Sequence, residues 1–304
     1  MEWFNPNSNF DFMGWRKFNA IFSVILITIS IAGLFLKGLH WGLDFTGGTQ
    51  IEMSFKKTAN LSQIRSQLKS SGFPEAQVMA YGNSHDVLIS LAANQADDLN
   101  KTKLILEKTF PEDKILQVNF IGPQVGNELA TKGIIAVVVA MLATMVYIAF
   151  RFEYRLAMSS ALALIHDPML ILGVFAWFNI EFDLKALAAL LAVIGYSLND
   201  TIVVFDRVRE NFLKVRRTAA IEIMNLSINQ TLSRTIMTSF LTLSVVLALL
   251  FLGGESLRGF SLALSIGIII GTYSSIYVAG SLAIWLGLDK KDFLPKPKFA
   301  TDEP

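Results

Sequence analysis

The sequence contains no cysteine, only three histidines and few charged residues for its length. Without cysteine the chain can form no disulfide, use no thiol nucleophile and offer no thiolate to zinc or to an iron–sulfur cluster. Charged residues make up 17% of the 304 residues, whereas soluble domains carry about 25%. Together with 53% hydrophobic residues and a mean hydropathy of +0.49, this scarcity of charge predicts a membrane protein.

Several kinds of functional site are also missing. A formal net charge of +1 argues against a nucleic-acid-binding protein, which would present a strongly basic face. The sequence has no phosphate-binding loop, no HExxH zinc motif and no GxSxG nucleophile motif. His40 and His85 lie apart and are interpreted as surface residues rather than ligands. We therefore predict no enzymatic activity, no cofactor and no metal site.

Six segments are apolar enough to cross a membrane, since a span needs about 20 such residues. They lie at residues 18–36, 133–150, 156–178, 184–206, 234–252 and 259–286. The first is predicted to be an anchor, because its apolar run is too long for a signal peptide and no small-residue cleavage pattern follows it. The predicted fold is a polytopic α-helical membrane protein with six transmembrane helices, flanked by a short N-terminus (1–17) and a tail (287–304).

Lysine and arginine near the span ends predict the orientation. Thirteen of them fall before span one, after span six or in the loops after spans two and four, against two in the short opposite loops. The positive-inside rule therefore predicts that both termini are cytoplasmic. The polar loop 207–233 would then also be cytoplasmic, and the helical spacing of Arg217, Ile221, Met224 and Ile228 predicts a helix on the membrane surface.

The polar segment 37–132, after the first span, shows the pattern of a small external domain. Period-two alternation predicts strands at 49–55 and 115–121, and residues 77–81 and 87–91 are interpreted as a strand pair. Spaced apolar residues predict a helix that carries Leu61, Ile64 and Leu68 and stops near Gly72, and a second helix at 96–110. The resulting order β-α-β-β-α-β is that of a ferredoxin-like α+β domain.

Ionisable residues inside the spans carry the functional information. Asp200 lies at least one turn inside span four, between Asn199 and Thr201 and among apolar residues. A charge at the centre of a span costs roughly 2.5–3.5 kcal/mol on insertion scales, so such a residue is usually functional or paired. In span three, His166 and Asp167 precede Pro168. Either this proline kinks a purely structural helix, or the ionisable pair lies on an ion path.

Spans five and six add a hydroxyl stripe and a stripe of small residues. Thr235, Thr238, Ser239 and Thr242 fall on one helical face, which predicts either hydrogen bonds between helices or a hydrated ion route. Arg234, just before them, would by itself be interpreted as reaching for the cytoplasmic surface. In span six every fourth residue is small, which predicts close helix packing. The members are Gly259, Ala263, Gly267, Gly271, Ser275, Ala279, Ala283 and Gly287.

Several motifs together resemble the SecF family of bacterial protein export. They are GLDFTGG (42–48), IGP (121–123), HDP (166–168), GYSLNDTIVVFDRVREN (195–211), TLSRT (231–235) and GTYSSI (271–276). The resemblance covers about residues 10–288, and the run in span four is its most specific part.

The resemblance implies half of an RND-type transporter in the bacterial inner membrane, with the ferredoxin-like domain in the periplasm. The partner would be SecD, and the complex would use the proton gradient to help draw preproteins out of the SecYEG channel. The proton path of the family would fall on Asp200 and Arg234, and a SecD carboxylate would complete it. Further candidates for this path are Asn199, Thr201, Thr238, His166 and Asp167; candidates for helix packing are Gly267, Gly271 and Ser275.

Two other interpretations remain open from the sequence. The chain could be a half-transporter of the same superfamily that exports small molecules or lipids, although its external domain is small for that role. It could also be a passive scaffold for its partner subunit, in which case replacing Asp200 would be tolerated.

Overall fold

A computed structural model of the chain describes residues 10–74, 76–81, 83–92, 99–215 and 218–293. Within these ranges, six helical segments are long and apolar enough to cross a membrane, which confirms the predicted polytopic helical fold. The elements in chain order are α1 (Arg16–Leu36), β1 (His40–Trp41), α2 (Leu43–Thr46), β2 (Gly48–Ser54), α3 (Leu61–Ser70), β3 (Gln77–Tyr81), β4 (Asn83–Ala92), α4 (Leu99–Thr109), β5 (Lys114–Ile121), α5 (Pro123–Arg151), α6 (Tyr154–Trp177), β6 (Glu181–Phe182), α7 (Leu184–Lys214), α8 (Ala220–Leu252), α9 (Arg258–Tyr273), a π-helical segment (Ser274–Ala279) and α10 (Gly280–Trp285).

The elements from β2 to β5 form the external domain. Its antiparallel sheet has the strand order β3-β4-β2-β5, and the chain order β-α-β-β-α-β fits the predicted ferredoxin-like pattern. Alternate residues of β2 and β4, including Ile51, Met53 and Ile89, are buried against Leu68 of α3 and Leu106 of α4. This alternation gives the domain a hydrophobic core of its own, separate from the helix bundle.

The helices differ in how much of their surface the chain itself covers. α6, α7 and the last span are largely buried, whereas α1, α5 and α8 expose most of their apolar side chains. Exposed valines and leucines on α5 are expected of a helix that faces lipid. The last span packs closely on α7 because its small residues allow the backbones to approach.

The predicted surface helix in the loop 207–233 is wrong. α7 continues to Lys214 and α8 already begins at Ala220, so the two spans extend beyond the membrane-length runs as continuous helices. Met224 and Ile228 are fully buried in the bundle core, and Ile221 packs against it, because the polar parts of these helices still have neighbours inside the protein. Arg217, the remaining residue of that prediction, lies outside the described residues.

Candidate ion-coupling site

Asp200 is a buried carboxylate in the middle of α7. Only 3% of the residue is exposed, and its Oδ2 atom accepts no hydrogen bond from any described residue. A buried charged oxygen without a partner is costly and calls for an explanation, such as a functional role. Asp200 is therefore the first candidate for a functional group in the spans.

Two groups of α8 act on this carboxylate, namely the Ser239 hydroxyl and the Arg234 guanidinium. Arg234 lies on an exposed face of α8, and no ion pair within 4 Å joins it to Asp200 among the ion pairs of the described chain. The arginine is thus near enough to influence Asp200 but does not neutralise it by direct contact. Such a guanidinium is available to a second carboxylate from outside the chain.

Ser239 also belongs to a hydrogen-bonded relay across three helices. Tyr196 of α7 donates to the Ser239 hydroxyl at 3.1 Å, and Ser239 lies 2.7 Å from Thr272 Oγ1 of α9. Thr272 Oγ1 in turn donates to the Ile268 carbonyl at 2.8 Å. Because Ser239 has one proton, it can donate to Asp200 only by giving up its bond to Thr272. A change in the charge of Asp200 would therefore alter the Ser239–Thr272 hydrogen bond, and with it the packing of α8 on α9.

A second buried carboxylate, Asp167, has a very different environment. Its Oδ1 lies 2.8 Å from His166 Nδ1, and its Oδ2 accepts hydrogen bonds from Ser197 of α7 and, at 2.7 Å, from Ser274 of the π-helical segment. Asp167 thereby joins three spans with its oxygens satisfied. Of this cluster, only His166 Nε2 lacks a partner among the described residues. This hydrogen-bonded cluster holds α6, α7 and the last span together within the bundle.

The other predicted path residues lie around Asp200 with unequal exposure. Asn199 and Thr238 are on the exposed surface of α7 and α8, whereas Thr201 is buried. The Thr201 hydroxyl donates to the Ser197 carbonyl at 3.2 Å, and Thr238 donates to the carbonyls of Arg234 and Thr235. The hydroxyls of Thr201 and Thr238 therefore donate to backbone carbonyls of their own helices. The structure thus brings Asp200, Ser239 and Arg234 together and keeps His166 with Asp167 in a separate cluster.

The predicted packing residues lie along the seam between α7 and the last span. A Cβ atom added at Gly267 would overlap Val193 Cγ2, and one added at Gly271 would lie 3.1 Å from Ser197 Cβ. Ser275 is fully buried in the π-helical segment and donates to the Thr272 carbonyl at 3.0 Å. This seam fixes the part of α7 that holds Ser197 and Asp200.

Sequence reasoning missed the two serines that bind Asp167. Ser197 lies one helical turn before Asp200, a spacing that could have drawn attention to it. Ser274 lies within the GTYSSI motif (271–276), but nothing in one sequence shows that span six faces span three. No group of three or more His, Asp or Glu side chains that could hold a metal ion occurs in the described part of the chain.

Comparison with known proteins identifies the family. The family profile described as "Protein export membrane protein SecD/SecF, C-terminal" matches residues 101–289, which include Asp167, Asp200 and Arg234. A second profile, "SecD/SecF GG Motif", matches residues 32–59. The protein translocase subunit SecF of Vibrio alginolyticus is 47% identical over 291 residues, covering 93% of this chain and 92% of that protein. The chain belongs to the SecF family. SecF of Escherichia coli O157:H7 is similar too, with 43% identity over 97% of this chain and 94% of its own length.

Solved structures of SecDF share the fold. A crystal structure of SecDF, a translocon-associated membrane protein from Thermus thermophilus, matches with a TM-score of 0.84 and 38% identity over 93% of this chain. A SecDF crystal structure in a super-membrane-facing form matches with a TM-score of 0.71 at the same identity and 92% coverage. This chain spans 39% of each of those SecDF chains.

Proposed function

We propose that the chain is the SecF half of a SecD–SecF complex that uses the proton gradient to assist protein export. In this proposal Asp200 takes up and releases a proton, and the accompanying change in helix packing moves the external domain. The coupled reaction is mechanical and involves no covalent chemistry on the substrate. The substrates would be preproteins leaving the SecYEG channel.

The observation that supports this proposal most directly is the unpartnered Oδ2 of Asp200 within a membrane-spanning helix. A proton from the gradient would neutralise the carboxylate and so remove the cost of its burial. Protonation would also weaken the attraction to Arg234 and free the Ser239 hydroxyl for Thr272. One SecDF crystal structure is described as a super-membrane-facing form, and a named form is consistent with a complex that has more than one stable packing.

The exposed face beside Asp200 supports a partner in the membrane. Gly195 and Asn199 are exposed on consecutive turns of α7, Arg234 and Thr238 are exposed on consecutive turns of α8, and a Cβ at Gly195 would meet no atom within 4 Å. We propose that SecD covers this face and supplies a carboxylate to Arg234. The guanidinium would then lie between two carboxylates, of which Asp200 is one.

The chain is a multi-pass protein of the bacterial inner membrane, and its orientation is part of the proposal. The thirteen-to-two distribution of Lys and Arg supports cytoplasmic termini and a periplasmic external domain. In that orientation the external domain stands on the side where an exported chain emerges.

The test replaces Asp200 by asparagine and Arg234 by methionine in the SecD–SecF complex. Asp206→Asn is the matched control, because Asp206 is on the same helix but forms an exposed ion pair with Arg151 at 2.7 Å, which contributes little. We expect Asp200→Asn and Arg234→Met to abolish the gradient-dependent part of preprotein transport into inner-membrane vesicles, and the control to retain it.

Two further outcomes decide between the interpretations. If the double variant loses no more activity than either single variant, Asp200 and Arg234 act as one unit. If Asp200→Asn transports like wild type, or fails only because less complex accumulates, the chain is a scaffold rather than an ion-coupled subunit. The recovery of SecD with each variant is therefore measured beside transport.

A further inference from the structure

The glycine turn (residues 42–48) is bonded to the start of α7, the helix that holds Asp200. Asp44 Oδ2 accepts a hydrogen bond from the backbone N–H of Leu184 at 3.0 Å, although the two residues are 140 positions apart. The helix's own N-cap, Asp183, accepts from the Ala186 N–H at 2.7 Å. Two carboxylates therefore accept hydrogen bonds from the N–H groups at the start of α7. Asp183 directly precedes the helix, whereas Asp44 comes from the glycine turn.

The glycine turn is also fixed to the segment that precedes α7. β1 and β6 form a short parallel ladder, and Gly42 N–H donates to the Phe182 carbonyl at 2.9 Å. The ring of Phe45 stacks on Phe182 with centroids 6.2 Å apart, and Trp41 meets both rings edge-on. Backbone bonds and ring packing together hold the turn against the outer end of α7.

On its other side the glycine turn leads directly into the external domain. Gly47 alone separates α2 from β2, the strand that lies between β4 and β5. Gly47 has a φ of 72°, and a Cβ there would lie 2.8 Å from Pro123 Cα at the start of α5. The turn is therefore held tightly in place. The five residues from Asp44 to Gly48 are joined by four Cα–Cα steps and can span at most about 14 Å. Little slack remains between α7 and the sheet.

We propose that Asp44 is a positioning residue that couples α7 to the external domain, so that a displacement of α7 at Asp200 is transmitted through Leu184 and the glycine turn to β2. This inference rests on the proposed function, because it needs a displacement to transmit. Asp200 follows Leu184 by 16 residues, a distance of about 24 Å along a continuous α-helix. A helix of that kind moves as a rigid rod, so its two ends shift together.

The test follows the distance between the external domain and the bundle in the SecD–SecF complex. The chain has no cysteine, so dyes can be attached at Ser84→Cys in the domain and Leu252→Cys at the end of α8, both of which are exposed sites. Energy transfer between the dyes is recorded in vesicles before and after a proton gradient is imposed. Asp44→Ala removes the link to Leu184. Asp183→Ala removes the cap at Ala186 of the same helix but keeps the Cβ that packs beside Gly42 and leaves the bond from Leu184 to Asp44 in place.

We expect the gradient to change the distance in the wild type and not in Asp200→Asn, which tests the proposed function itself. Asp44→Ala should lose the change, Asp183→Ala should keep it, and Asp44→Asn, which retains an oxygen acceptor, should restore it. Reaction of Asp200 with a hydrophobic carbodiimide should keep its pH dependence in Asp44→Ala, because the ion site remains intact.

Two results would overturn the assignment of Asp44 while leaving the proposed function in place. One is a normal distance change in Asp44→Ala. The other is an equal loss in Asp44→Ala and Asp183→Ala, which would show that both residues serve only as helix caps. If the wild type shows no change with the gradient, the proposed function and this inference both fail.

Discussion

Replacing Gly267 by alanine tests whether the seam between α7 and the last span is as tight as the structure shows. The added Cβ would overlap Val193 Cγ2 and lie 2.7 Å from Val193 Cγ1, whereas carbon atoms in contact are about 3.5–4.0 Å apart. Val193 is fully buried and β-branched, so it has one strongly preferred rotamer in a helix and little freedom to move aside. The backbones of α7 and α9 must therefore separate.

The expected size of the effect follows from two opposing contributions. Overpacking a core position costs about 1–3 kcal/mol, and the rigid neighbour places Gly267→Ala at the upper end of that range. Removing a glycine from the interior of a helix returns up to about 1 kcal/mol. We therefore expect a net loss of about 2 kcal/mol in the free energy of unfolding, seen as a decrease of a few degrees in the melting temperature of the purified complex.

A control and a compensating change make this prediction decisive. Gly259→Ala, on the same helix, would place its Cβ 3.6 Å from the nearest atom, so it should leave the melting temperature unchanged or raise it slightly. Val193→Ala removes both methyl groups that the new Cβ meets, so in that background Gly267→Ala should cost little or nothing. The packing argument is refuted if Gly267→Ala is as stable as wild type, or if its cost is the same in both backgrounds.

Three other predictions concern orientation, pH and the buried carboxylate network. A cysteine at Ser84 should react with an impermeant thiol reagent once the outer membrane is opened, whereas one at Leu213 should react only after the inner membrane is permeabilised; the reverse would contradict the proposed topology. Burial, and next the Asp183 carboxylate, raise the pKa of Glu181, so folded protein retains this proton to higher pH than unfolded protein. The protonated Glu181 side chain therefore contributes its full stability at low pH, and this contribution is lost as the pH rises through the pKa of Glu181 in the folded protein. Glu181→Gln should make the melting temperature fall less as the pH is raised. An unchanged fall would show that Glu181 does not have a raised pKa in the folded protein. Ser274→Ala takes one donor from the buried Asp167 and should lower the free energy of unfolding by about 1.5–3 kcal/mol, measured in the purified complex against Ser244→Ala, whose hydroxyl bonds only within its own exposed helix turn.

The spans could be predicted from the sequence, but their ends could not. Apolar runs of about 20 residues identify membrane helices because length and composition suffice. Polar residues 123–132 nevertheless continue α5, since the glycine turn packs against Gly126 and stabilises that end of the helix. The start of α8 also lies outside the apolar run, and there Met224 is buried by residues far away in the chain. Such neighbours come from tertiary packing and leave no pattern in the local sequence.

The π-helical segment of span six could have been predicted from the sequence. Small residues recur there at every fourth position, yet four residues turn an α-helix by about 400°, so the pattern drifts about 40° with each step. A strict spacing of four can remain buried over a whole span only if some turns are wider. The π-helical segment Ser274–Ala279 supplies wider turns, and Ala279 and Ala283 beyond it are still fully buried.

The candidate site illustrates what chemistry alone predicts. A carboxylate within a span attracts attention because of its cost, so Asp200 and Asp167 were both candidates. What separates them is their set of partners, which one sequence does not reveal. Ser197 and Ser274 come from α7 and the last span. Asp44, which accepts a hydrogen bond at the start of α7, lies 140 residues before its donor, the Leu184 N–H.

The two carboxylates are suited to different tasks within one bundle. Hydrogen bonds to a charged group contribute about 1.5–3 kcal/mol each, and Asp167 is held by two serines and a histidine, so a change in its charge would loosen three spans at once. Within the described part of the chain, Asp200 has an oxygen without a hydrogen-bond partner and is influenced by one serine and one arginine, so its charge can change while the Asp167 network stays formed. Because Ser197 and Asp200 are one turn apart on α7, the fixed network provides the support against which the exchangeable site can act. An ion-coupled helix needs both parts: a site such as Asp200, whose charge changes on protonation, and a network such as that of Asp167, which keeps the other helices in place during the change.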